Sequence, residues 1–133
     1  MNPLTVETSL VAALTASAFP STPIYPGTGY QELTPESINL IAGVQQLEHV
    51  VGNLYKANVD IKIDSPALLG SSQLSALVTA LETLRTNLTS EYLTAHWPTS
   101  EASFAGIWQQ ETAMSQHEHS WVAEVKVIIG VTE

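Results

Sequence analysis

The sequence predicts an α+β fold, a mostly antiparallel four-stranded sheet with two helices packed on one face. Two periodicities carry that expectation. Val59, Ile61 and Ile63 alternate with Asn58, Asp60 and Lys62, and Trp121, Ala123, Val125, Val127, Ile129 and Val131 form a second period-2 row, each the pattern of a strand with one buried face. Between them Leu74, Leu77, Val78, Leu81, Leu84 and Leu88 recur at spacings of three and four, the stripe of an amphipathic helix. Strand pairs on either side of a helix favour an α+β layer over a doubly wound parallel sheet.

Taken in order, Asn2-Pro3 is a helix start, a side chain able to cap followed by proline at the first helical position. Leu4, Leu10, Val11, Leu14 and Ala18 then fall near one face, and the predicted helix runs from Pro3 to about Phe19. The stretch PSTPIYPGTGYQELTP holds too many prolines and glycines for a helix or a central strand, so residues 20–35 are expected to form a long loop carrying Ile24, Tyr25 and Tyr30. Such a loop either folds back over its own core or offers its aromatics to a partner. A short strand is expected over ESINLIAG, ended by Gly43, and a longer one over LEHVVGNLYKANVDIKIDSP, bent or bulged at Gly52 and Asn53, with Leu54, Val59, Ile61 and Ile63 interleaved with Asn58, Asp60 and Lys62. The leucine helix, capped by Ser71 or Ser72, is expected to continue through EYL to about residue 93. After a turn at HWPTSE, SFAGIWQQETAM reads as a strand, SQHEHS as a turn, and HSWVAEVKVIIGVTE as the closing strand, paired with its predecessor.

The closing strand is apolar on both faces toward its end, and an exposed apolar strand edge invites pairing with other chains. The expectation is that its hairpin mate seals one side and a neighbouring subunit or other protein the other.

Length and composition bound the chemistry. A chain of 133 residues fits a single domain and buries roughly two thirds of its unfolded surface without staples. It has no cysteine, which removes thiol nucleophiles, zinc-thiolate sites and disulfides. Thirteen acidic against four basic residues give a net charge of −9, the opposite of a nucleic-acid or anionic-membrane footprint. No apolar run approaches the about 18 residues of a membrane span and no signal-like leader is read, so a soluble, unprocessed product is expected. With only 13% charged residues, much of the surface is Ser, Thr, Asn and Gln, a composition suited to docking.

No nucleotide, metal or catalytic motif emerges. YPGTGY lacks the helix and third glycine of a dinucleotide loop, and LLGSSQL lacks the lysine of a phosphate loop. His117, Glu118 and His119 form a short cluster without the further ligands of a familiar metal site. Glu48, His49 and His96 are the residues an unrecognised hydrolase would use, but none stands in a nucleophile-elbow or other catalytic context. The expectation is no enzyme activity, no cofactor and no metal. Trp97 is open between core and interface, Trp121 fits the core, and Trp108, on the opposite parity, fits an interface.

The order LTPESINLIAG, EHVVGNLYKANVDIKIDSPA, a leucine-periodic helix, FAGIWQQETAM and HSWVAEVKVIIGV resembles the small tail-terminator and tail-completion (head–tail joining) proteins of tailed bacteriophages, over nearly the whole chain. The resemblance is one of layout, without a diagnostic motif, and the proline-rich loop departs from it. It implies a structural virion protein that forms a homo-oligomeric ring, commonly a hexamer, which ends the tail tube and joins it to the neck or connector. It implies localisation in the tail and neck of the virion, and in host cytoplasm during assembly. The expected partners are the protein itself and tail-tube and neck proteins. DNA passes through such a ring without sequence-specific binding, and no membrane is involved. The family supplies no catalytic residues and places contacts on long loops and sheet edges. The candidate partner contacts are therefore Ile24, Tyr25, Tyr30, Trp108, His117 and His119. The competing expectation is a monomeric binding module or assembly chaperone using the same loop as a grip.

Overall fold

A computed structural model describes residues 1–27, 33, 37–64, 70–99, 102–117 and 120–133. Its elements are α1 (Pro3–Ala16), β1 (Ile24–Pro26), β2 (Asn39–Val51), β3 (Leu54–Asp64), α2 (Gly70–Asn87), α3 (Ser90–His96), β4 (Ser103–His117) and β5 (Ser120–Thr132). The class is α+β as expected, with a fifth strand and a third helix. The strands form one mixed sheet in the order β1-β2-β3-β5-β4, antiparallel throughout except for the parallel β1–β2 pair.

The buried face of this sheet follows from the alternation. Leu40 pairs with Ile63 and Ile63 with Ala123; Ala42 pairs with Ile61 and Ile61 with Val125; Val44 pairs with Val59 and Val59 with Val127. These rows meet Val6, Leu10, Ala13 and Leu14 of α1, Leu77 and Leu84 of α2 and Leu93 of α3 in one apolar cluster. Full burial of each large aliphatic side chain contributes about 1.5–3 kcal/mol.

The closing strand is covered differently from the expectation. β5 lies inside the sheet, paired on one side with β4 and on the other with β3 from Leu54↔Thr132 to Ile63↔Ala123. Both its backbone edges are satisfied within the chain, so no neighbouring subunit is needed to seal it. The apolar positions on both faces of its end are those of an interior strand: Val131 and Ile129 enter the core, while Gly130 lies beneath Leu54, Ala105 and Trp108.

Helix boundaries shift for local reasons. Asn2 caps α1, its side-chain oxygen accepting from the Leu4 N–H at 3.0 Å. The helix stops at Ala16 rather than Phe19, where the Phe19 N–H turns back to the Leu14 carbonyl at 2.9 Å and the Phe19 ring enters the core. The helix expected to run to residue 93 is two helices. α2 ends at Asn87, and Thr89 caps α3 by accepting from the Tyr92 N–H at 3.1 Å, with Glu91 in the first turn. The Tyr92 hydroxyl then donates to the Ala13 carbonyl and accepts from the Ala18 N–H, both at 2.8 Å, which fixes α3 against the end of α1.

Gly43 does not end the first long strand. β2 continues to Val51, and Gly52-Asn53 is a two-residue turn into β3, with Gly52 in the left-handed region (φ 56°) that a tight hairpin needs. Likewise β4 extends to His117, through residues expected to form a turn. Within the expected loop, β1 adds three residues to the far edge of β2: the Leu40 N–H donates to the Pro23 carbonyl at 3.0 Å and the Gly27 N–H to the Ala42 carbonyl at 2.7 Å. Its prolines are tolerated because it is an edge strand. Gly27 passes so near β2 that a Cβ there would lie 2.5 Å from the Gly43 Cα, so only glycine fits.

Beyond Ala42 the β1 partner runs out, and Glu7 takes its place. This carboxylate, 1% exposed, reaches from α1 to accept the Val44 N–H at 2.8 Å, beside the bulge between Val44 and Gln46. Glu7→Ala is expected to cost about 1–3 kcal/mol, because it leaves a backbone donor unpaired next to the core. Glu7→Gln, which keeps an acceptor oxygen, is expected to recover much of the loss in urea unfolding.

Candidate assembly surfaces

Three surfaces remain where the sheet is not covered by helix: its helix-free face and its two lateral flanks. On the helix-free face, side chains of even-numbered residues in β3 and β5 meet across strands. Lys126 stands in register between Asp60 on β3 and Glu111 on β4, and Lys62 stands opposite Glu124. The Lys126 Nζ lies 3.7 Å from Glu124, and Lys56 pairs with Glu48 at 4.0 Å. These three lysines and Arg85, itself 3.1 Å from Glu82, are all the basic residues in the chain. Each faces a carboxylate, so no uncompensated cationic patch forms for phosphate to bind.

At one end of this face the sheet curls into an open trough of about 440 Å³ lined by Glu48, His49, Val50, Lys56, Trp108 and Ile128. Trp108 occupies the extra position of a bulge between Ile107 and Gln109, and its indole lies over Gly130, 3.6 Å from where a Cβ would stand. It is nonetheless 53% exposed, across the trough Val50 is 47% exposed, and Val51, next in the chain, is 66% exposed. A tryptophan facing a solvent-exposed valine across the trough forms an apolar rim suited to a protein contact.

Part of each flank has no described strand beside it, although Glu7 holds the Val44 N–H and Gly27 stands against Gly43. β4 ends the sheet on one side and no described strand lies outside it. On the other side β1 covers β2 only at Leu40–Ala42, leaving Gly43–Val51 without a described strand neighbour. β4 and the part of β2 beyond β1 carry no lysine or proline, and bulges are the edge guards they do carry.

The candidate contacts distribute unevenly. Ile24 and Tyr25 sit on β1 opposite Leu40 and Ile41, half-buried, with Ile24 packed on the chain's own core. Trp108 is on the open rim. His117 ends β4 in register with Ser120. Tyr30 and His119 lie outside the described residues. Trp97 is a core residue, its indole N–H donating to the Ala102 carbonyl at 3.2 Å and its ring 5.6 Å from that of Phe104, and Trp121 packs half-buried against the core. Val50, Val51 and the open flank of β2 were not anticipated; the signal was two valines directly before Gly52-Asn53, at the apex of a hairpin.

Glu48, His49 and His96, the residues of the hydrolase alternative, have separate surroundings. The His49 ring stands edge-on to Tyr55 with Nε2 2.7 Å from the Gly52 carbonyl, while His96 stacks on Tyr92 at 4.1 Å with Nδ1 2.9 Å from that residue's carbonyl. Among the described residues no three His, Asp or Glu side chains converge as a metal site would require. No described helix is long and apolar enough to cross a membrane.

No protein-family model matches the chain, and no curated protein matches it significantly.

Proposed function

We propose that the protein is a structural component of a tailed-phage virion, a ring that ends the tail tube and joins it to the neck. The observation that carries this reading is the pair of open flanks. A closed head-to-tail ring requires two different surfaces on each protomer, one to offer and one to receive, whereas a two-fold dimer needs one. Here the β4 flank and the β2 flank are different strands on opposite sides of one sheet. The layout resemblance to tail-terminator proteins points the same way, and a hexamer is the expected size. The acidic balance and the paired lysines suit a ring through which DNA slides without adhering.

The outer surface of α2 adds support. Thr79 and Thr83 donate their hydroxyls to the Ser75 and Thr79 carbonyls, at 3.0 and 2.9 Å, so these side chains satisfy themselves within the helix. Beside them Leu74 and Val78 are 37% and 41% exposed, leaving a weakly hydrated surface for tube or neck proteins.

Light scattering on the purified protein, alone and mixed with tail tubes, tests the reading. A discrete species of about six chains, or density for this chain at the head-proximal end of the tube in electron micrographs, is the expected result. A single-chain mass at every concentration, with no binding to tubes, would reject it in favour of the monomeric module.

A further inference from the structure

Resting on the ring reading, we infer that neighbouring protomers are joined by backbone strand pairing, with Gln110–Met114 of β4 laid antiparallel on Leu47–Val51 of β2 in the next copy. Strand direction permits it. β2, β3, β5 and β4 alternate in direction along the sheet, so β2 and β4 run opposite ways. A rotation about an axis roughly along the strands preserves those directions and brings the β4 of one copy antiparallel to the β2 of the next, with helices on the same side of both sheets. Strand addition of this kind satisfies edge N–H and carbonyl groups directly.

The two segments match in side chains. Both register shifts of β4 fall before Gln109, so the strand is regular through Gln110–Met114. On β2, Gly27 stands against Gly43 and Glu7 holds the Val44 N–H, so the pairing begins beyond the Val44–Gln46 bulge and sets Gln110–Met114 against Leu47–Val51, whose own bulge lies near Val50. By register, Leu47 pairs with Ala57 and Met114 with Ala123, so both project to the helix side, and both are half-buried at the margins of the core. Laying Met114 beside the Leu47 of the next copy joins the two margins and sets Ala113 beside Glu48. A symmetric β4-to-β4 contact would complete one edge and leave the β2 flank and its exposed valines uncovered; the β4-to-β2 seam completes both.

Because the chain has no cysteine, an engineered pair reports this seam without background. Ala113 and Glu48 are both exposed, and opposed residues of an antiparallel pair lie within disulfide reach. The variant combining Glu48→Cys and Ala113→Cys is expected to give, on mild oxidation, a covalent ladder ending at the size of the ring, while either single variant stays uncrosslinked. A covalent dimer from Ala113→Cys alone would overturn the proposal in favour of the symmetric contact. A ring detected by light scattering in which the double variant fails to crosslink would reject the seam and leave the ring reading standing; protein that is monomeric with and without tail tubes would reject both. Ala113→Glu checks the same contact without sulfur chemistry. It sets a carboxylate opposite Glu48 of the next copy and is expected to weaken assembly by about fivefold, since like charges directly opposed across strands destabilise the pairing, while circular dichroism of the unassembled chain shows the fold retained. Unweakened assembly would also overturn the proposal.

Discussion

Val127→Pro is expected to abolish folding. Val127 pairs with Val59 on β3 and Gln110 on β4, and its side chain is 1% exposed. Proline there removes an interior ladder donor and sets its ring against the neighbouring strand, which central strands do not tolerate. The valine packing lost with it adds about 1 kcal/mol or more. For a domain whose total stability is of the order of 5–15 kcal/mol, that combination disrupts the one strand holding β3 and β4 together. Circular dichroism and thermal unfolding provide the measurement. A cooperative transition near that of the parent protein would show that β5 is not interior.

Leu84→Ala should have the next largest effect, about 2–5 kcal/mol, through the cavity left beneath α2. Its value lies in contrast with its neighbours on the stripe. Leu77, Ala80, Leu84 and Leu88 face the core, Leu81 is half-buried, and Leu74 and Val78 point outward. Leu81→Ala should therefore cost clearly less than Leu84→Ala, and Leu74→Ala close to nothing in the isolated chain. Equal losses at all three sites in urea unfolding would mean that α2 is rotated from the orientation described.

The difference between the six-residue stripe and the face that is buried shows where sequence patterns lose resolution. Spacings of three and four identified α2 and its general side, but a helix advancing 100° per residue lets Ala80 replace Val78 at the core without disturbing the count. Strict alternation made β3 and β5 legible because one of their faces is fully buried and no bulge interrupts their pairing with each other. β2 and β4 carry bulges near Gln45, Val50, Ala105 and Trp108, each of which shifts the alternation by one, and the outer part of β2 is exposed. Hence its second half read as the start of the next strand, bent at Gly52-Asn53, rather than as the end of β2 before a hairpin turn. β1 was hidden for another reason: its pairing depends on the carbonyl of one proline and the closeness of Gly27 to Gly43, neither of which leaves a periodic mark. Of the candidate contacts, Trp108 was legible from parity alone, whereas the flanks exist only through strand order, which no local pattern encodes.

The position of β5 also governs how the native state is reached. β3 and β4 do not touch as sheet neighbours; the segment that bridges them follows both in the chain, and α2 and α3 intervene. β4 and β5 pair locally, from His117 opposite Ser120 onward, whereas β3 and β5 pair across α2, α3 and β4. That one long-range pairing carries the loop-closure cost of the fold, so changes at the β3–β5 seam are expected to slow folding more than changes within either hairpin.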